Sequence, residues 1–203
     1  MTATFLSVVA GNVRGVTEAP AWAYEKPEIH PPDPTWSARG ETVRARIADL
    51  LAPWLADGVA HIGSTSVPGL PAKPVIDVMA SVHDVDEVVA AARAHLEREG
   101  WCYVPPELDV GAPWRRFFVQ PDETGRHRRA HLHVIPAGHP RWTAQLTFRD
   151  ALRADPALAA QYATLKRELT RTESDREAYT QGKSERCRAE SGPRAAPLTR
   201  ECL

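Results

Sequence analysis

The run His61-Ile-Gly-Ser-Thr-Ser-Val-Pro-Gly-Leu-Pro-Ala-Lys-Pro-Val-Ile-Asp77-Val78 concentrates residue types that can do chemistry. Small residues Gly63, Ser64, Thr65 and Ser66 directly after a strand leave backbone N–H groups and hydroxyls to face a ligand, as a phosphate requires. Asp77 then sits inside an apolar run, between Ile76 and Val78. Burying a carboxylate there is expensive unless it holds a cation or accepts several hydrogen bonds, which makes Asp77 the leading functional candidate. His131 and His133 lie two apart in a strand-like run and so project to one face. One Asp with two His can bind a transition metal, stabilise phosphate as imidazolium, or move protons near neutral pH. The alternative is one packed histidine and one exposed one. His61 is expected to be a structural hydrogen-bonder. A P-loop, suggested by Gly63, Gly69 and Lys73, fails on spacing: five residues separate the glycines and Leu70-Pro71 follows the second.

The elements that must position these residues follow from periodicity. Val43, Ile47, Leu50, Leu51, Trp54 and Leu55 recur at helical spacing from Thr35, with Pro53 shortening the last turn and Gly58 ending the helix. Val59–Ile62 reads as a short strand, residues 63–74 as a long loop, and Val75–Val82 as a buried strand. A second helix opens at Asp84, with Glu87 spaced for a capping box, and stops at Gly100. Trp101–Val104, Arg116–Gln120 and His131–Ile135 read as strands, the last two joined by a charged hairpin. After Pro140 the chain turns helical, divided by Pro156, with Leu158, Tyr162, Leu165 and Leu169 as one seam. This order argues for an α/β or α+β sheet with helices packed on it.

The chain of 203 residues, 43% apolar and 25% charged, fits one medium domain with a core. Lys+Arg 25 against Asp+Glu 26 excludes a bulk polyanion binder, so a nucleic-acid role would need a local patch. One stretch qualifies: Arg115–Arg149 holds seven arginines against Asp122 and Glu123, and reads either as a polyanion-facing surface or as a solvated hairpin. Three cysteines lack any CxxC spacing, no basic n-region precedes Phe5–Ala10, and no run approaches the roughly 18 apolar residues of a membrane span. The expectation is a cytoplasmic protein with reduced thiols and no membrane partner. Five prolines before residue 35 and little periodicity make residues 1–27 a flexible extension, and residues 188–203 a frayed tail.

The 61–77 run resembles the signature of the GrpB-like family, whose fold is that of the nucleotidyltransferase superfamily. The resemblance continues at Asp33-Pro-Thr-Trp36, His131-Leu-His133, Phe148-Arg-Asp-Ala-Leu-Arg153, Tyr162-Ala-Thr-Leu-Lys166 and Tyr179-Thr-Gln-Gly-Lys183, covering about residues 28–187. It implies a nucleotidyltransferase-like mixed sheet with helices packed on it. In the wider superfamily a Gly-Ser pair holds nucleotide phosphates and an Asp-x-Asp/Glu holds divalent metal. Gly63-Ser64 and Asp77 fall on those positions, but Met79 stands where the second acid belongs, and a thioether is a poor ligand for Mg²⁺. The implied function is a nucleotidyltransferase-like enzyme acting on a nucleotide or nucleotide-activated substrate. Asp77, His131 and His133 are its expected catalytic residues. Gly63, Ser64, Thr65, Ser66 and Lys73 would hold an ATP-like cofactor, and Asp77 and His133 would hold Mg²⁺ or another divalent metal. Two alternatives are aminoacyl-tRNA-dependent acyl transfer, forming a peptide or cyclodipeptide as in some fungal relatives, and a non-catalytic nucleotide-binding module. The first of these makes tRNA a partner and gives the Arg-rich hairpin RNA to grip.

Overall fold

A computed structural model describes residues 19–26 and 28–172. Asp33 accepts the Thr35 N–H at 2.8 Å and starts helix α1, Thr35–Leu51, which buries Trp36, Ile47 and Leu51. Pro53 converts the end of the helical run into one 3₁₀ turn, Ala52–Trp54, and strand β1 follows at Leu55–Ile62. The strand therefore begins four residues before the expected Val59, and Gly58 does not end the helix. Gly58 sits instead at φ +100° in a register shift within β1, a bulge that only a residue without Cβ enters cheaply.

Strand β2, Ile76–Val82, leads into α2, Val85–Arg98, whose N-cap Asp84 accepts the N–H groups of Asp86 and Glu87. The expected capping box is half made, because the Glu87 carboxylate accepts from Trp54 Nε1 instead. β3, Cys102–Val104, β4, Arg116–Pro121, and β5, Arg128–Pro136, complete one sheet of order β1-β2-β5-β4-β3. β2 and β5 are parallel and the other neighbours antiparallel. The architecture is α+β with a mixed sheet and packed helices.

Side-chain alternation divides the sheet into two faces. Ile76, Val78, Ala80, Val82, Ala130, Leu132 and Val134 bury one face beneath α1 and α2. The other face carries Asp77, Met79, His131, His133 and Ile135. It is partly roofed by α3, Pro140–Ala154, through Trp142 and Leu146. α4, Pro156–Thr172, pairs with α3, and its seam Leu158, Tyr162, Leu165 and Leu169 closes on Phe148, Leu152 and the loop residues Val67 and Leu70.

Within residues 19–26, expected as part of a flexible extension, Trp22 and Glu25 pack against the start of β5, the central strand. Glu25 accepts the Arg128 N–H at 3.0 Å, and the buried Arg128 guanidinium donates to the Trp22 carbonyl and lies over the Trp22 ring. Apolar and acidic partners of β5 thus precede residue 28. The tail 188–203, Tyr179–Lys183, Cys187 and Cys202 lie outside the described residues. Among the described residues no helix is long and apolar enough to cross a membrane.

Candidate functional site

The parallel register of β2 and β5 sets Asp77 opposite His131 and Met79 opposite His133. The spacing of two that the sequence showed therefore places both imidazoles beside one carboxylate. His131 Nδ1 donates to Asp77 Oδ1 at 2.8 Å, and His133 Nε2 stands 3.7 Å from the same oxygen. Gly63 presses on this carboxylate from β1's end: at φ +70° it carries no Cβ, and one built there would meet Asp77 Oδ2 at 2.6 Å. Phe117 on β4 packs its ring against both histidines.

Burial pushes the Asp77 carboxyl up, but the hydrogen bonds and charges of His131 and His133 outweigh it and hold it well below the usual carboxylate range. Asp77 is an acceptor at neutral pH, so His131 carries its proton on Nδ1. The other nitrogen, Nε2, is buried and has no hydrogen-bond partner among the described residues. Burial, with the Arg115 charge beside it, pushes the His133 imidazole down to about 4, so this ring is neutral. Arg115 Nη1 donates to His133 Nδ1, while its Nε and Nη2 donate to Asp109. The result is a continuous row: Asp109, Arg115, His133, Asp77, His131.

The 63–74 loop is built differently from expectation. Thr65 and Ser66, expected to offer hydroxyls to a ligand, turn them inward: Thr65 Oγ1 donates to the Val75 carbonyl and Ser66 Oγ to the Gly63 carbonyl. A short loop of small residues must satisfy its own carbonyls when buried, and these hydroxyls do so. His61, pushed down to about 4 mainly by burial, keeps its Nε2 at 3.1 Å from Thr65 Oγ1, the structural role expected of it. Lys73 lies beside Glu25, whose carboxyl burial raises against the pull of His127, Lys73 and His131. Of the expected cofactor turn, Gly63 lies against the Asp77 carboxylate, while half-buried Ser64 accepts from Lys166.

Sequence reasoning missed the side chains that grip this loop. Arg149 Nη1 donates to the His61 carbonyl, Arg153 to the Ser66 carbonyl, and buried Lys166 Nζ to Ser64 Oγ and the Pro71 carbonyl. Lys166 contacts the Tyr162 ring at 4.8 Å and turns its amine into the fold. The available signal was positional: all three cations sit in the motif segments 148–153 and 162–166. Arg115 and Asp109 gave no such signal, because nothing local marks a guanidinium whose partners lie 6 and 18 residues away.

The family model described as GrpB protein matches residues 26–190. The chain belongs to the GrpB family. It is 33% identical over 151 residues to the UPF0157 protein YqkA of Bacillus subtilis, covering 74% of this chain and 42% of that protein. It is 38% identical over 167 residues to the UPF0157 protein PA4798 of Pseudomonas aeruginosa, covering 78% of this chain and 63% of that one. The chain thus spans less than two thirds of the length of either relative. Among solved structures, the conserved protein GrpB from Enterococcus faecalis superposes with a TM-score of 0.65 at 29% identity, covering 76% of this chain and 90% of that one.

The magnesium pair implied by the nucleotidyltransferase resemblance does not fit this GrpB-family site. Two hard cations need several oxygen ligands, whereas Met79 at the second-acid position is 1% exposed in an apolar cluster with Ala60, Ile62, Ile135, Trp114, Trp142 and Leu146. Asp77, His131 and His133 do offer ligand atoms within 4.8 Å of one another. One carboxylate and two imidazoles are a donor set for a single transition metal rather than for Mg²⁺.

Proposed function

We propose that this GrpB-family chain catalyses group transfer from a nucleotide or nucleotide-activated substrate by general acid–base chemistry. His131 takes the proton of the attacking nucleophile on Nε2, and Asp77 orients the ring and balances the imidazolium that forms. One observation carries this reading: the His131 imidazole, fixed by a 2.8 Å bond to an ionised carboxylate, keeps its second nitrogen buried with no hydrogen-bond partner among the described residues. A buried polar atom without a partner costs free energy, and is retained where a substrate completes it. Gly63, beside the carboxylate, and Ser64 after it are the backbone against which a phosphate would rest.

The arginine stretch gives less support to an RNA partner. Arg115 pairs with Asp109, Arg116 with Asp86 and Arg149 with Asp150, Arg141 lies over the Trp114 ring, and Arg128 is buried against Trp22, which leaves Arg126 and Arg129 exposed at the hairpin. The test is a thermal-shift panel of nucleoside mono-, di- and triphosphates, with EDTA or with Mg²⁺, followed by ³¹P NMR of any nucleotide that binds. A binding nucleotide raises the melting temperature through mass action with EDTA present. His131→Asn keeps that shift and stops turnover. Binding that requires Mg²⁺ overturns the metal-free chemistry, and binding without turnover in the wild type leaves a nucleotide-binding module. A tRNA affinity falling by about 0.7 log units per phosphate per log unit of salt, with no nucleotide shift, installs acyl transfer instead.

A further inference from the structure

The row of hydrogen bonds behind His133 decides what kind of chemistry the Asp77 cluster can host. The Arg115 guanidinium is fixed from two directions. Asp109 accepts from Nε at 2.7 Å and from Nη2 at 2.8 Å, and the Phe117 ring lies 4.1 Å from Cζ. Both members of the ion pair are largely shielded, at 16% and 15% exposure, and a bidentate fork leaves little freedom of rotation. The remaining direction, along Nη1, ends on His133 Nδ1.

A guanidinium has only donors, so the nitrogen it addresses must present a lone pair. A neutral imidazole has one proton, which therefore sits on Nε2 and faces Asp77 Oδ1 at 3.7 Å. A histidine that ligates a metal needs the reverse arrangement. Its ligating nitrogen is bare, and its other N–H is taken by an outer carboxylate or carbonyl. With metal at His133 Nε2, the proton would move to Nδ1 and meet the Arg115 N–H head on.

We infer that Arg115 is a positioning residue that fixes the His133 proton on Nε2, and so withholds His133 from a transition metal and keeps it for proton transfer. This deepens the acid–base reading and rests on it for its catalytic meaning, but the placement of the proton is measurable without any substrate. Long-range ¹H–¹⁵N spectra of histidine-labelled wild-type protein near neutral pH, assigned with His133→Asn, are expected to show the Nε2–H tautomer at His133. Arg115→Gln offers a carbonyl that accepts from Nδ1–H. It should shift His133 toward that tautomer and tighten Co²⁺ binding by about 10–100-fold, the scale of outer-shell effects on metal sites. Arg115→Lys keeps a donor and should retain both the wild-type tautomer and the wild-type Co²⁺ affinity. An Nδ1–H tautomer in the wild type overturns the inference, and so does Co²⁺ binding as tight in the wild type as in Arg115→Gln. Should the glutamine variant not fold, the wild-type spectrum decides alone. Failure of nucleotide binding would remove the proposed reaction without moving this tautomer, so the two ideas fail separately.

Discussion

Two imidazoles on opposite sides of β1 and β5 are kept neutral by their surroundings, and that makes the fold sensitive to acid. His61 lies under α1 against Gly40, where a Cβ would meet its ring at 2.1 Å, and His133 lies against Phe117 and Arg115. Burial brings each down to about 4, below the 6.5 of free histidine. As pH falls from about 6.5 toward 4, the unfolded chain takes up protons that the folded one refuses. The stability contributed by the neutral rings is therefore complete above the upper value and is lost through that window. Urea denaturation is expected to show a loss of roughly 2 kcal/mol per ring between about pH 7 and pH 5. His133→Asn should remove about half of that dependence. An unchanged slope in the variant would mean that the ring is already protonated in the fold.

The loop from Gly63 to Pro74 has no regular structure beyond one 3₁₀ turn, and depends on α3 and α4 to hold its carbonyls. Lys166→Met keeps the apolar contact with Tyr162 and removes the donor to Ser64 and Pro71. It should destabilise the fold by about 1–3 kcal/mol, the cost of an abandoned buried acceptor, and speed hydrogen exchange at the amides of residues 64–72. Exchange that stays slow would show that Arg149 and Arg153 suffice. Contacts of this kind also mark the limit of reading the chain. Periodicity found α1, α2, the buried β2 and the α4 seam, because each has an apolar stripe of the right period. The pairing of Asp77 with His131 and His133 was foreshadowed by a carboxylate in an apolar strand and by histidines two apart. What was not legible is the direction of polar side chains. Thr65 and Ser66 face in rather than out, Lys166 buries its amine against the loop, and Arg115 holds a histidine from a turn-rich loop. Such choices are settled by which carbonyl or ring lies nearby in space, and one-dimensional spacing carries no record of that.

At the scale of the molecule, the domain reaches further toward the N-terminus than its proline-rich composition suggested. Trp22 and Glu25 bind β5 through Arg128, and His30 exchanges backbone hydrogen bonds with Ala72, tying the entry segment to the far end of the 63–74 loop. A chain beginning at Glu28 should melt roughly 4–8 °C below one beginning at Ala19, as expected if about 2 kcal/mol of buried hydrogen bonding is lost from a domain of this size. Equal melting temperatures would show that these contacts are incidental. The parallel pairing of β2 with β5 bears on how the protein is made. Asp77 meets His131 across 54 residues of sequence, so the β1–β2 hairpin exists before its neighbour does. During synthesis β2 is an open edge of strongly apolar residues, the kind of template on which chains aggregate. The carboxylate near its start charges that edge and repels a second copy of itself until β5 arrives with two imidazoles to partner it. The same side chain that orients the candidate base thus acts earlier as a guard on the nascent sheet.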